Sequence, residues 1–337
     1  MSYIALSESA FLYNASVFSS KINSNKIFAV LKDNAYGHGA KELSKLCSLA
    51  NITNAAVRTA QEADEIAKYF NTILVLSDDY GSSFDNVNFA INSLNSLKLQ
   101  PQNRKIHLKI DSGMHRNGVT LSELSTALDI IKQNKLILNG VFSHLRGADE
   151  LDTTQFWQEQ NFEQARIFIN NYCINNKLNI PKYHLHNSAG ALRKNSFDNY
   201  DYIRPGIGLY GYMDSPVLNI NLQPVLKLFA AKVSSKAATQ KLRFGYGGKG
   251  VTAEKSVSIY DIGYADGFWR FNENHSYITP NGSKLLGRVS MDSCFVEGSE
   301  DEICLMDSAQ YAASVANTIS YDLLAKLKPN ITRKIVF

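Results

Sequence analysis

The chain has 337 residues, 45% of them hydrophobic and 20% charged, the balance of an ordinary soluble globular protein long enough for two domains. Its net charge of +4, from 35 Lys and Arg against 31 Asp and Glu, includes no basic block, which argues against a nucleic-acid surface. The first 20 residues hold no Lys or Arg, so no secretory signal is expected, and no apolar run approaches the roughly 20 residues that span a membrane. Cys47, Cys173, Cys294 and Cys304 are spaced neither as metal ligands nor as a redox pair; they read as reduced and mostly buried, consistent with the cytoplasm.

In chain order, residues 7–21 read as a helix capped by Ser7 or Ser9. Strand-like runs follow at 26–31, 54–58, 72–76, 87–91, 105–110, 138–143, 183–186 and 202–204, with amphipathic helical patterns between most of them. The clearest of these helices are 40–50, 123–133 and 153–176, the last placing Phe156, Phe162, Ile167 and Tyr172 at intervals that suit one face. The run at 87–91 and the gap after it fit the alternation least well. Strands alternating with helices in this way favour a closed (β/α)8 TIM-like barrel over an open doubly wound sheet, here spanning residues 7–224. From about Pro224 the texture changes to short β-like runs at 226–233, 256–262, 284–289, 294–297 and 303–306, with little helix until 318–327. Residues 225–337, joined by an N-terminal strand at 1–6, are expected to form a mainly β C-terminal domain.

Barrel chemistry collects at the carboxyl ends of the strands, and the unusual polar residues fall there. Lys32 closes the first run and is followed at once by Asp-Asn-Ala-Tyr36-Gly-His-Gly39. A partly desolvated lysine is an amine nucleophile that forms Schiff bases with carbonyls such as that of pyridoxal 5'-phosphate (PLP); taken alone, Lys32 reads more simply as a surface residue at a strand exit. Arg116 follows the fifth run in a glycine-flanked loop and suits either a bidentate carboxylate clamp or a surface ion pair. His144 ends the sixth run, as a site residue or as a satisfied core histidine. Asn187 and Ser188 end the seventh, and Arg204-Pro-Gly206-Ile207-Gly208 ends the eighth. Ser188, Gly206 and Ile207 offer hydroxyl and N–H donors to a phosphate, although Gly206 alone reads equally as a turn. A buried Arg204 demands an acceptor, either in a structural ion pair or as a pyridine nitrogen. His184 and His186, two apart on a strand, would share a face; no metal site is expected there, since no carboxylate or third histidine is near in sequence. In the β domain, Tyr264 is a core ring or an acid/base, and Met291 would ordinarily be packing. Polar residues at the ends of five separate strands point to a single pocket.

The segments KDNAYGHGA, LKIDSGMHRNGV, FSHLRGAD, HLHNSAG, IRPGIGLYG, IGYADG, GRVSMD and TISYDLL resemble, in order and from about residue 26 to 322, those of bacterial alanine racemases. The resemblance implies a PLP enzyme with an α/β barrel and a C-terminal β domain, acting on a small amino acid as a head-to-tail homodimer. It implies that Lys32 carries PLP, that Tyr36, Ser188, Gly206, Ile207 and Tyr321 hold its phosphate, with Asn187 and His144 beside them, and that Arg204 faces the pyridine nitrogen. Arg116 matches an arginine beside the substrate carboxylate, and Lys109 a lysine that is carbamylated in many members and steadies it. Tyr264 matches the second catalytic base and Met291 a substrate contact, both reaching across the dimer interface. His184 and His144 match supporting positions, His144 next to the partner copy's Tyr264. The implied reaction is interconversion of L- and D-alanine by two-base Cα proton transfer, supplying D-alanine for peptidoglycan.

Three positions depart from the commonest pattern of that family. Leu145-Arg146-Gly147 follows the strand-six histidine and adds a charge near the pocket mouth, Gly245 precedes Tyr246 where serine is frequent, and Ser290 stands where cysteine is frequent. These leave substrate breadth open toward serine, since an apolar pocket rejects an added hydroxyl by only about 100-fold. A PLP-dependent decarboxylase of the same fold would pair the ring nitrogen with a carboxylate, against Arg204. A non-catalytic PLP carrier would lack the β domain with Tyr264.

Overall fold

The computed structural model describes residues 1–237, 242–251, 256–272 and 274–337. The chain opens on β1 (Tyr3–Ser7), and Ser7 then caps the helix Glu8–Ser19 by accepting the Ala10 N–H at 3.2 Å. Seven parallel strands follow: β2 (Phe28–Val30), β3 (Asn54–Val57), β4 (Thr72–Val75), β5 (Val87–Ile91), β6 (Lys105–Lys109), β7 (Ile137–Phe142) and β8 (Lys182–His184), each hydrogen-bonded to the next in sequence order. Strands β2 to β5 are almost wholly buried, which is why they read as apolar runs rather than as alternations. Residues 202–205 close the ring. Phe28 and Val30 donate to Ile203 and Pro205 carbonyls at 2.9 and 3.0 Å, and Arg204 donates its backbone N–H to the His186 carbonyl at 2.8 Å.

Helices Ala40–Leu49, Ala60–Ile66, Leu94–Lys98, Leu124–Gln133 and Thr154–Asn175 fill the crossovers, and no helix separates β4 from β5. The strand at 87–91 forms in full, paired with β4 and β6; the weak alternation after it reflects a helix of only 5 residues. Helix Thr154–Asn175 corrects the expected face. Gln155, Gln158, Phe162, Ala165, Ile169 and Cys173 are buried, at spacings of three and four, while Phe156 and Ile167 point to solvent. Phe156 and Phe162 are six positions apart, which turns them about 120° from each other on a 3.6-residue helix and off a common face.

The second sheet is built on β9 (Leu226–Lys236), which pairs with β1, with β12 (Val257–Tyr260) and with β15 (Glu302–Met306). The short β10 (Arg243–Phe244) and β11 (Gly250–Val251) form a separate ladder, and β13 (Leu285–Leu286) pairs with β14 (Cys294–Glu297). Strand β16 (Thr332–Val336) lies parallel to β1, so both chain ends join this sheet. The helix expected at 318–327 forms as Ser320–Ala325, and a further helix not expected from the sequence, Ala309–Ala316, precedes it and ends at Asn317 with φ 53°. No helix among the described residues is long and apolar enough to cross a membrane.

Candidate active site

Lys32 leaves β2 into an unusual backbone. Asp33, Asn34, Ala35 and Tyr36 all lie near φ 53°, one turn of left-handed helix that ends at Gly37 with φ 77°. For residues with a Cβ this hand costs about 1–2 kcal/mol each, so the surroundings must over-determine it. They do. The Glu62 carboxylate accepts the Asp33 N–H at 2.6 Å, Asn34 Oδ1 accepts the Ala40 N–H at 2.9 Å, and the Arg333 guanidinium donates to the Gly37 carbonyl at 2.8 Å. A Cβ on Gly37 would stand 2.0 Å from the Leu324 carbonyl oxygen. That close approach brings helix Ser320–Ala325 onto the turn and sets the Tyr321 ring 5.7 Å from Tyr36.

Lys32, Tyr36, Lys109, Arg116, His144, Asn187, Ser188, Arg204, Gly206, Ile207 and Tyr321 line one cavity of about 760 Å³ at the carboxyl ends of the barrel strands. Arg204, fully inside, donates to the carbonyls of Ser143, His184 and Leu185 at 2.5–3.1 Å and to His184 Nδ1 at 2.8 Å. A guanidinium only donates, so His184 Nδ1 is the acceptor, and its Nε2–H donates onward to His107 Nδ1 at 2.8 Å. Burial lowers both histidines, His107 to about 3, and the Arg204 charge lowers them further, so the relay stays neutral. Burial also brings Arg204 down to about 9, still charged at neutral pH.

Lys109 donates to Asn117 Oδ1 and is pushed down to about 8 by burial, then by Arg116 and Arg204. His144, lowered to about 3 by burial and by Arg204, is neutral too. Ser188 Oγ accepts the N–H groups of Gly206 and Gly208 at 3.0 and 3.1 Å. A Cβ on Gly206 would come 2.8 Å from Tyr36 Oη, so glycine keeps that concavity open. Burial raises the Tyr36 and Tyr321 phenols, which keeps both as O–H donors.

Tyr264 and Met291 do not line this cavity. They sit side by side in the second sheet domain, where Ala265 N–H donates to the Met291 carbonyl at 2.9 Å, and they are 37% and 52% exposed. Arg270 lies over the Tyr264 ring at 5.6 Å. His184 and His186 do not share surroundings, because β8 ends at His184: His186 packs on Tyr200 and approaches Glu159 at 3.5 Å. Arg146 is exposed and stays outside the cavity lining.

The family model for the alanine racemase N-terminal domain matches residues 6–214, and that for the C-terminal domain matches residues 225–335. An alanine racemase of Nitratiruptor sp. is 41% identical over 99% of both chains, and one of Campylobacter jejuni is 40% identical over 100% of both. The chain belongs to the alanine racemase family. The solved alanine racemase of Bacillus anthracis, which carries bound L-Ala-P, is 26% identical with a TM-score of 0.85, covering 100% of this chain and 95% of that one. Alanine racemases are PLP enzymes, and the residues present fit that group. The glycine-kept cradle beside Tyr36, Ser188 and Tyr321 suits a phosphate, and the donor-only Arg204 suits an unprotonated pyridine nitrogen.

Strand-end logic applied to every strand would also have found Arg58 and Asn92, which line the cavity beyond β3 and β5. His107 was legible as well: it lies two residues before Lys109 on β6, and so on the same face. Glu62 gave no signal beyond a helix-start pattern.

Proposed function

We propose that this alanine racemase interconverts L- and D-alanine by two-base proton transfer, with Lys32 Nζ on one face of Cα and Tyr264 Oη of a second copy on the other. The convergence of Lys32, Arg116, Arg204 and the phosphate cradle on one cavity, in a chain of this family, carries the reading. Bound PLP supplies the electron sink that acidifies Cα. Lys32 holds it covalently and serves the D-enantiomer, while Tyr264 serves the L-enantiomer; each positioned base contributes about 10²–10⁴-fold. Tyr36, Ser188, Gly206, Ile207 and Tyr321 bind the phosphate, with Asn187 and His144 flanking it. Arg204, its acceptors fixed by the neutral His184–His107 relay, donates to the ring nitrogen and keeps it unprotonated. Arg116 orients the substrate carboxylate and Lys109 steadies Arg116.

Tyr264 and Met291 lie outside their own chain's cavity, with much of each side chain in solvent. Their exposure supports a homodimer in which each copy completes the other's site. Residues 7–224 then form the PLP-binding domain, and 225–337 with strand 1–6 the domain that reaches across. A cytoplasmic enzyme supplying D-alanine for peptidoglycan accords with its free cysteines.

The test is deuterium incorporation at Cα in D₂O, followed by proton NMR for both enantiomers of alanine and serine. Exchange with inversion from either alanine enantiomer is expected, and its absence in PLP-loaded protein sinks the proposal. Tyr264→Phe should slow exchange from L-alanine far more than from D-alanine. Equal loss from both would remove the two-base assignment.

A further inference from the structure

One carboxylate outside the cavity lining holds the backbone on which Lys32 is mounted. Glu62, in the first turn of helix Ala60–Ile66, accepts the Asp33 N–H at 2.6 Å and the Asn34 N–H at 3.4 Å through Oε1. Through Oε2 it accepts the Arg58 N–H at 2.7 Å and the Thr59 N–H at 3.3 Å. Asp33 is the residue directly after Lys32, and Arg58 lies just beyond β3. The two oxygens therefore tie the left-handed turn to the end of the neighbouring strand. An ion pair of 3.1 Å between Arg58 Nε and Asp33 Oδ1 links the same segments again.

We propose that Glu62 is a positioning residue for Lys32: its two-armed carboxylate fixes the left-handed turn against β3 and so sets where the Lys32 amine meets cofactor and substrate. The proposal rests on the reading that Lys32 carries PLP. All four groups facing Glu62 are N–H donors, so both oxygens must accept. A glutamine replaces one acceptor by an NH₂ that faces donors, and only one arm survives. An aspartate keeps the charge but is one methylene too short to span both. Glu62 also shares a capping box with Thr59, whose Oγ1 accepts the Glu62 N–H at 3.2 Å. Thr59→Ala removes that half of the box and leaves both arms of the carboxylate in place. It separates a helix-start role from a positioning role.

The experiment compares full-length, PLP-loaded wild type, Glu62→Gln, Glu62→Asp and Thr59→Ala. Its readouts are kcat and KM for alanine, thermal midpoint, and amide hydrogen exchange across residues 32–37. Displacing a reacting group by about 1 Å costs up to about 100-fold, so both Glu62 variants should lose about 10–100-fold in kcat with KM within about threefold. Exchange at 33 and 34 should quicken in both, whereas Thr59→Ala should lower the midpoint with kcat and turn exchange near wild type. Glu62→Gln and Glu62→Asp at wild-type kcat, or Thr59→Ala losing as much kcat as they do, overturns the proposal. If Glu62→Gln does not fold, Glu62→Asp and the exchange data decide alone. Wild-type protein that does not attach PLP at Lys32 would instead sink the reading beneath it, a separate result.

Discussion

Acidification tests the neutral histidine relay and turn most directly. His38 and His107 are buried, and burial lowers their pKa values to about 4 and about 3, with Arg204 adding to the effect at His107. In an unfolded chain each would bind a proton near about 6.5. Both values fall on folding, so the unfolded state binds more protons below that pH, and their contribution, complete above it, is lost as the pH drops. Each group costs about 1.36 kcal/mol per pH unit in that window, about 2.7 for the pair. At pH 5 the loss relative to pH 8 is about 4 kcal/mol, a large part of the 5–15 kcal/mol that holds a typical fold. His184 and His186, lowered chiefly by burial, shift stability the same way and make that figure a floor. Glu159, lowered to about 2, starts to matter only below its unfolded value near about 4.5, so the upper window belongs to histidine. Urea midpoints by far-UV circular dichroism, at fixed protein concentration between pH 8 and 5, measure the slope. His38→Gln should remove about 1.36 kcal/mol per pH unit from it. Midpoints that stay put, or His107 ring protons titrating near pH 6.5 in folded protein, would refute the reasoning and with it the acceptor assigned to Arg204.

Gly206→Ala places a Cβ 2.8 Å from buried Tyr36 Oη, and overpacking of this kind costs about 1–3 kcal/mol. PLP affinity, read by titrating apoprotein, should weaken by about 5–150-fold at that cost, and unchanged affinity would remove Tyr36 from the phosphate cradle. Lys109, at about 8, has a large neutral fraction at pH 8, the form that adds carbon dioxide. Carbon-13 bicarbonate should give a carbamate resonance that is absent from Lys109→Gln, and no resonance in wild type would leave Lys109 a plain cation. Arg116→Leu should raise KM for alanine and shift the absorption of bound PLP; unchanged kinetics would return Arg116 to an ordinary rim ion pair.

The barrel was legible because most of its strands are buried on both faces, so apolar runs alternate with helical periods everywhere but between β4 and β5. In helix Thr154–Asn175 aromatic size does not track burial, since Phe156 and Trp157 face solvent. Its inward side holds Gln155 and Gln158, the latter donating to the His144 carbonyl at 3.2 Å and accepting the Arg146 N–H at 2.8 Å. Polar positions of that kind are buried through partners that no local pattern announces. The left-handed turn is half legible: Asn34 and the glycines suit it, but Ala35 and Tyr36 adopt it only because contacts from Glu62, Arg333 and Leu324 impose it. Such long-range enforcement leaves no periodic trace.

The choice of acceptors around the buried cations decides how much of their charge stays available to an anion. Arg58, Lys109, Arg116, Arg204 and Lys32 line the cavity, with Asp78, Asp149, Glu150 and Asp214 in the same lining. The two most buried cations are hydrogen-bonded to neutral groups, Arg204 to three carbonyls and a histidine, Lys109 to an asparagine amide. Carboxylates in those places would relieve the desolvation that lowers Arg204 and Lys109, but they would also cancel the field that draws in a phosphate and a substrate carboxylate. Neutral acceptors take four hydrogen bonds from Arg204 and one from Lys109 without cancelling either charge. The proposed donation from Arg204 to a neutral ring nitrogen then depends on His184 and His107 staying neutral.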